Sequence, residues 1–112
     1  MKTAGTFDDK LILIEEAISG AKTGEAVDLN GDDMDELNVR IIAPQKGTSL
    51  VVKIQGSDDK TTWNDLYTFP AITEAGEYNH KFRGKGRWRR AVITASGNWG
   101  NVIVGYSTGG VL

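Results

Sequence analysis

The chain has 112 residues, no cysteine, one histidine (His80) and a formal net charge of −2 at pH 7. That length corresponds to one domain with room for a single core, and the absence of cysteine excludes disulfides, thiolate zinc centres and thiol catalysis. A lone histidine excludes a two-histidine metal centre within one chain, and the longest uninterrupted apolar run, Leu11–Ile14, is far too short to cross a bilayer.

The first twenty residues support two readings. Leu11, Ile14 and Ile18 fit one face of a helix, and Glu15, Glu16 and Ala17 favour helix. The unbroken Leu11-Ile12-Leu13-Ile14, with two isoleucines, favours a strand. The strand is preferred: an extended N-terminal arm followed by a flexible hinge at Ser19–Gly24, so that residues 1–24 are arm and hinge and residues 25–112 the domain. Leu11, Leu13 and Ile14 are too apolar to remain in water, and the arm is expected to pair with a strand, in this chain or in a neighbouring subunit. Asp8, Asp9 and Lys10 ahead of the short apolar run do not read as a secretory signal, so folding in a cytosol is expected.

Further along, short apolar runs alternate with glycine-rich turn signals, the pattern of an all-β sandwich. Ala26–Asn30 is a short candidate strand. Leu37–Ala43 alternates with period two and stops at Pro44, and Gln45-Lys46-Gly47-Thr48 makes the reversal into Ser49–Gln55. Trp63–Phe69, Tyr78–Arg83, Arg87–Ala95 and Asn101–Ser107 complete the set. The expected core is Val39, Ile41, Leu50, Val52, Ile54, Val92, Val102 and Val104, drawn from separate runs that can share a core only if the strands lie in facing sheets.

The charge is divided unevenly. Met1–Glu36 holds ten acidic and three basic residues, whereas Leu37–Leu112 holds five acidic and ten basic ones. Six of those ten basic residues lie between Lys81 and Arg90. Such a division points to an electrostatic partner. The acidic stretch Asp28–Glu36 and the basic stretch Lys81–Arg90 are expected to meet different partners, or each other across a subunit boundary.

Several local patterns carry possible chemistry. Asp28, Asn30 and Asp32 match the ligand positions 1, 3 and 5 of a calcium loop, but glycine falls at the fourth place instead of the sixth, and Val39 stands at the twelfth, where the final glutamate belongs. An acidic turn is expected there, and no metal or cofactor is assigned. Ser57-Asp58-Asp59-Lys60-Thr61-Thr62-Trp63 resembles the Asp-box of propeller enzymes with one residue deleted and no internal glycine. Its expected role is a hairpin turn whose tryptophan anchors the next strand in the core. The basic run His80–Arg90 interleaves cations with Phe82 and Trp88. That composition suits single-stranded nucleic acid, but the acidic half of the chain and a pI near 5.3 weigh against it, and a protein interface is preferred. Arg89-Arg90 puts arginines on opposite faces of one strand, so one of them must be paired, capped by a bulge, or lie in an interface. No nucleophile elbow or phosphate-binding glycine loop occurs, and no enzyme activity is expected. Trp99, between Asn98 and Gly100, is the tryptophan expected to be exposed, and with the other aromatics it raises the alternative of a carbohydrate-binding sandwich. The expected partner or oligomer contacts are Leu11, Leu13, Ile14, Arg83, Lys85, Arg87, Arg89 and Trp99.

Taken in order, the segments resemble the small jelly-roll capsid cement, or decoration, proteins of tailed bacteriophages. The likeness spans nearly the whole chain: Phe7-Asp8-Asp9 and Leu11-Ile12-Leu13; Ala26-Val27-Asp28-Leu29; Val51-Val52-Lys53-Ile54-Gln55-Gly56-Ser57-Asp58-Asp59 with Trp63 after it; and Arg87-Trp88-Arg89-Arg90-Ala91-Val92-Ile93 before a glycine-rich last strand. The resemblance implies a jelly-roll-like antiparallel sandwich made in the bacterial host cytoplasm and mounted on the outer surface of the capsid. There it would bridge neighbouring copies of the major capsid protein as a homodimer or homotrimer. It implies no catalysis and no cofactor; the charge balance and the short apolar runs leave neither nucleic acid nor membrane as an expected partner.

Overall fold

The computed structural model describes residues 7–28, 36–83 and 87–107. Its strands are β1 (Phe7–Ala17), β2 (Lys22–Thr23), β3 (Val27–Asp28), β4 (Glu36–Ala43), β5 (Ser49–Ser57), β6 (Asn64–Thr68), β7 (Gly76–Arg83), β8 (Trp88–Ser96) and β9 (Asn101–Ser107). Among the described residues there is no helix. One antiparallel sheet runs β1-β9-β4-β7; the other runs β2-β8-β5-β6, with β3 also paired to β8. The chain is therefore an all-β sandwich. Most connections carry it from one sheet to the other, and β5–β6 is a hairpin within one sheet.

The core lies between the sheets because each strand turns one face inward with period two. In β5, Leu50, Val52 and Ile54 are buried while Val51, Lys53 and Gln55 are only half-buried. Val39, Ile41 and Ala43 of β4 and Val102, Val104 and Tyr106 of β9 close over them from the facing sheet. Seven of the eight expected core residues are buried; Val92 is the exception. It lies opposite Lys53 on the outward side, whereas Ile93 and Ala91, opposite Val52 and Ile54, point in. A one-residue error of phase in a strand exchanges its two faces.

The N-terminal segment is a strand, as preferred, and it pairs with β9 of its own chain. Leu13 and Ile14 are 4% and 3% exposed, so both belong to the chain's own core and are not presented to a partner. Two neighbouring residues can both face inward because the register shifts between Ile12 and Ile14, the signature of a bulge. The expected hinge is tied down. Lys22 and Thr23 pair with β8, the Gly24 N–H donates to the Ala91 carbonyl at 2.8 Å, and Ile18 exchanges backbone bonds with Trp99 and Gly100. A side chain at Gly24 would run into the Leu13 carbonyl and Ile14, so the close approach of this segment to β1 needs glycine.

On the far side of the sandwich, the edge strands β6 and β7 belong to different sheets and are bridged by aromatic rings. Tyr67 stacks on His80 with centroids 4.0 Å apart and planes 7° apart, lies over Phe82 at 5.4 Å, and meets Phe69 edge-on at 5.0 Å. His80 is exposed at this seam.

Candidate functional site

A connected group of polar and aromatic side chains outside the core lies on the outer face of the β8-β5-β6 sheet. Gln55 lies opposite Arg90 in the ladder, and Lys53 opposite Val92. Arg90 Nε donates to Gln55 Oε1 at 2.7 Å, Gln55 Nε2 donates to Asp65 Oδ1 at 2.8 Å, and Lys53 Nζ stands 3.4 Å from Asp65 Oδ2. The guanidinium of Arg90 lies 4.2 Å from the centroid of the Trp63 ring. Beside this chain, Trp88 carries Lys60 at 4.6 Å and Arg87 at 5.3 Å from its centroid. Arg87 is held by Asp28 through two bonds, at 2.8 and 2.7 Å. The Gln55 amide, and after it the Lys53 charge, keep the Asp65 carboxyl below its usual range. The Asp28 carboxylate raises the already high pKa of Arg87.

The turn that supplies Lys60 and Trp63 is built by side-chain caps. Ser57, 2% exposed, accepts from the Asp59 and Lys60 N–H groups at 3.2 and 2.9 Å. Asp59 Oδ1 accepts from the Thr61 and Thr62 N–H groups at 2.8 and 2.9 Å and from the Ser57 hydroxyl at 3.0 Å. These donors, led by the backbone of Thr62 and Thr61, hold the Asp59 carboxyl below its ordinary pKa. The segment is thus the hairpin turn that its sequence suggests. Its tryptophan does not enter the core: Trp63 is half-buried under Arg90 on the outside of the sheet.

The expected contact residues are scattered. Arg87 lies on the face. Arg89 does not: it is 1% exposed and points between the sheets, where its Nη1 donates to the Tyr106 hydroxyl at 2.9 Å. Trp99 is fully buried, its indole N–H shared by the Ser49 and Ser96 carbonyls at 2.9 and 3.0 Å, so it is no exposed platform for a sugar. The backbones of Leu11 and Arg83 lie in β1 and β7, but their side chains, and Lys85 as a whole, are outside the described residues. The acidic and basic stretches meet within one chain: Asp28 pairs with Arg87, and Glu36 lies opposite Arg83 in the β4–β7 ladder. Most of the acidic loop, residues 29–35, is outside the described residues; among those described, no three metal-ligating side chains cluster.

Sequence reasoning missed Arg90, Lys60 and the outward placement of Trp63. The available signal was the pairing of β8 with β5. Lys53 and Gln55 are polar on the face away from Leu50, Val52 and Ile54, and placing Arg90 opposite Gln55 fixes the phase of β8.

No protein-family model matches the chain, and no match was found among curated proteins. Among solved structures, a crystal structure of PirA is similar, with a TM-score of 0.57 and 14% identity over 82% of this chain and 90% of that one. At that identity the likeness is one of fold, and it accords with the two-sheet sandwich described above.

Proposed function

We propose that this chain is a non-enzymatic virion structural protein, a capsid cement or decoration protein that binds the outside of a tailed-phage head and bridges neighbouring major capsid protein subunits. The observation that carries the reading furthest is the outer face of the β8-β5-β6 sheet, where Trp63 and Trp88 lie beneath Arg90, Lys60 and Arg87. Tryptophan and arginine dominate the energetics of protein interfaces, and side chains already held in place lose less entropy on binding. The order of segments, which resembles the decoration proteins, supports the same reading. Synthesis in the host cytoplasm and final residence on the outer capsid surface belong to it.

A protein of this kind bridges lattice points that exist only in the assembled shell. Multivalent attachment then raises the effective concentration at the second contact without any new interaction. The chain should therefore co-sediment with expanded heads lacking it and bind free capsid subunits far more weakly. Its binding should raise the temperature at which those heads come apart, since a ligand of the assembled state stabilises that state. Trp63→Ala with Trp88→Ala should weaken attachment while the sandwich stays folded. Normal decoration by that double variant removes this face from the reading, and failure of the wild-type chain to bind heads removes the function.

A further inference from the structure

The cations on the outer face of the β8-β5-β6 sheet are of two kinds. Lys53 and Arg87 are matched by carboxylates, Asp65 at 3.4 Å and Asp28 at 2.7 Å. Lys60 and Arg90 are held over Trp88 and Trp63, and among the described residues neither has a carboxylate within ion-pair distance. Arg90 Nε is bonded instead to the neutral amide of Gln55. Positive charge is left over at two fixed points, with the carboxylates of Asp28, Asp58, Asp59 and Asp65 on or beside the same face.

We infer that this face receives an acidic protein segment whose carboxylates seat on Lys60 and Arg90. The inference rests on the reading of the chain as a protein that docks on a protein shell. A nucleic acid fits the face poorly for two reasons. A phosphate backbone is bound by a run of cations, and here carboxylates interrupt the run. Bases need open aromatic faces on which to stack, and here the chain's own cations lie over both rings. A polypeptide can place discrete carboxylates at two points and neutral or basic groups opposite the acids, which is how charge complementarity selects a protein partner. Each cation sits over a ring that fixes its position, so little side-chain freedom remains to be lost on docking.

Poly-L-glutamate and oligothymidylate serve as probes, with tryptophan emission as the readout. Trp63 and Trp88 report on the face, and the buried Trp99 supplies a constant background. Poly-glutamate should shift the emission of the wild-type chain, with an affinity that falls as salt rises. Lys60→Glu with Arg90→Glu should weaken that binding by about tenfold or more, and Lys60→Arg with Arg90→Lys should largely preserve it. If Arg90→Glu disturbs the fold by circular dichroism, Lys60→Glu alone, in an exposed turn, still decides the matter. Oligothymidylate binding as tightly as poly-glutamate overturns the inference, as does undiminished poly-glutamate binding by the charge-reversed variant. If the chain fails to bind heads yet binds poly-glutamate through Lys60 and Arg90, the capsid reading falls and the acidic partner stands.

Discussion

Arg89 Nη1 donates to the hydroxyl of Tyr106 at 2.9 Å in the space between the two sheets, with each residue 1% exposed. Burial raises the pKa of the Tyr106 hydroxyl, and the Arg89 charge offsets only part of that rise. Tyr106→Phe keeps the ring and removes one acceptor from a buried cation. A loss of about 1–3 kcal/mol in urea unfolding is expected. A folded-state pKa above the unfolded value means that the contribution is complete below about pH 10 and is lost as pH rises further. Wild-type stability should decline above that point, and Tyr106→Phe should remove this residue's share of the decline. Equal stability and an unchanged alkaline profile would contradict the assignment.

The neighbouring arginines of β8 should respond in opposite ways. Arg89 faces the core, and Arg90 lies over Trp63 on the outer face. Arg89→Glu puts a carboxylate where the buried guanidinium stood and should cost on the order of 3–5 kcal/mol. Arg90→Ala should cost about 1 kcal/mol, mainly the lost ring contact and the bond to Gln55. Thermal denaturation of the two variants checks the phase of the strand, and the reverse order of stabilities would mean that β8 is turned the other way.

That phase also marks how far the sequence could be read. In β5, apolar Leu50, Val52 and Ile54 alternate with residues of which two are polar, so one face identifies itself. In β8 both faces carry an arginine and an aliphatic residue, Arg89 with Ile93 and Arg90 with Val92, and period two alone has no preferred phase. Only the ladder with β5 supplies it. Expecting Val92 inward and Arg89 outward was therefore one error made twice. Trp99 misled for a related reason. Its neighbours Asn98 and Gly100 are polar or small, but the ring is covered by Gly47, which is distant in sequence and becomes a neighbour only once the sheets are assembled. The strand β2 was likewise hidden, since Lys22-Thr23 is extended only because β8 lies beside it. Where a residue's fate was local, as in β9 or the Ser57 and Asp59 caps of the β5–β6 turn, the sequence sufficed.

Asp59 links the candidate face to pH. Its carboxylate accepts the Thr61 and Thr62 N–H groups and so holds the turn that presents Lys60 over Trp88. Because the folded-state pKa is lowered, the stabilisation is present above the ordinary aspartate value and is lost as pH falls through the folded value. Asp59→Ala should lower the melting temperature at neutral pH, and the gap from wild type should close as the solution is made strongly acidic. A gap that stays constant down the acid range would mean that the carboxylate's charge contributes nothing to the turn.

Gly47 and Trp99 should behave as a coupled pair. A Cβ on Gly47 would stand 2.5 Å from Trp99 Nε1 and 2.6 Å from Cδ1, closer than packed atoms tolerate, so the indole would have to move. That movement would strain its bonds to the Ser49 and Ser96 carbonyls. Gly47→Ala should cost about 1–3 kcal/mol by overpacking, and Trp99→Ala about 3–5 kcal/mol by emptying a fully buried site. Trp99→Ala removes the ring atoms that the new methyl group strikes, along with the N–H donor. Gly47→Ala introduced into Trp99→Ala should therefore cost less than in the wild type, and the double variant should be more stable than the sum of the single losses implies. Strict additivity would show that Gly47 is required for its backbone alone and not for the room it leaves the indole.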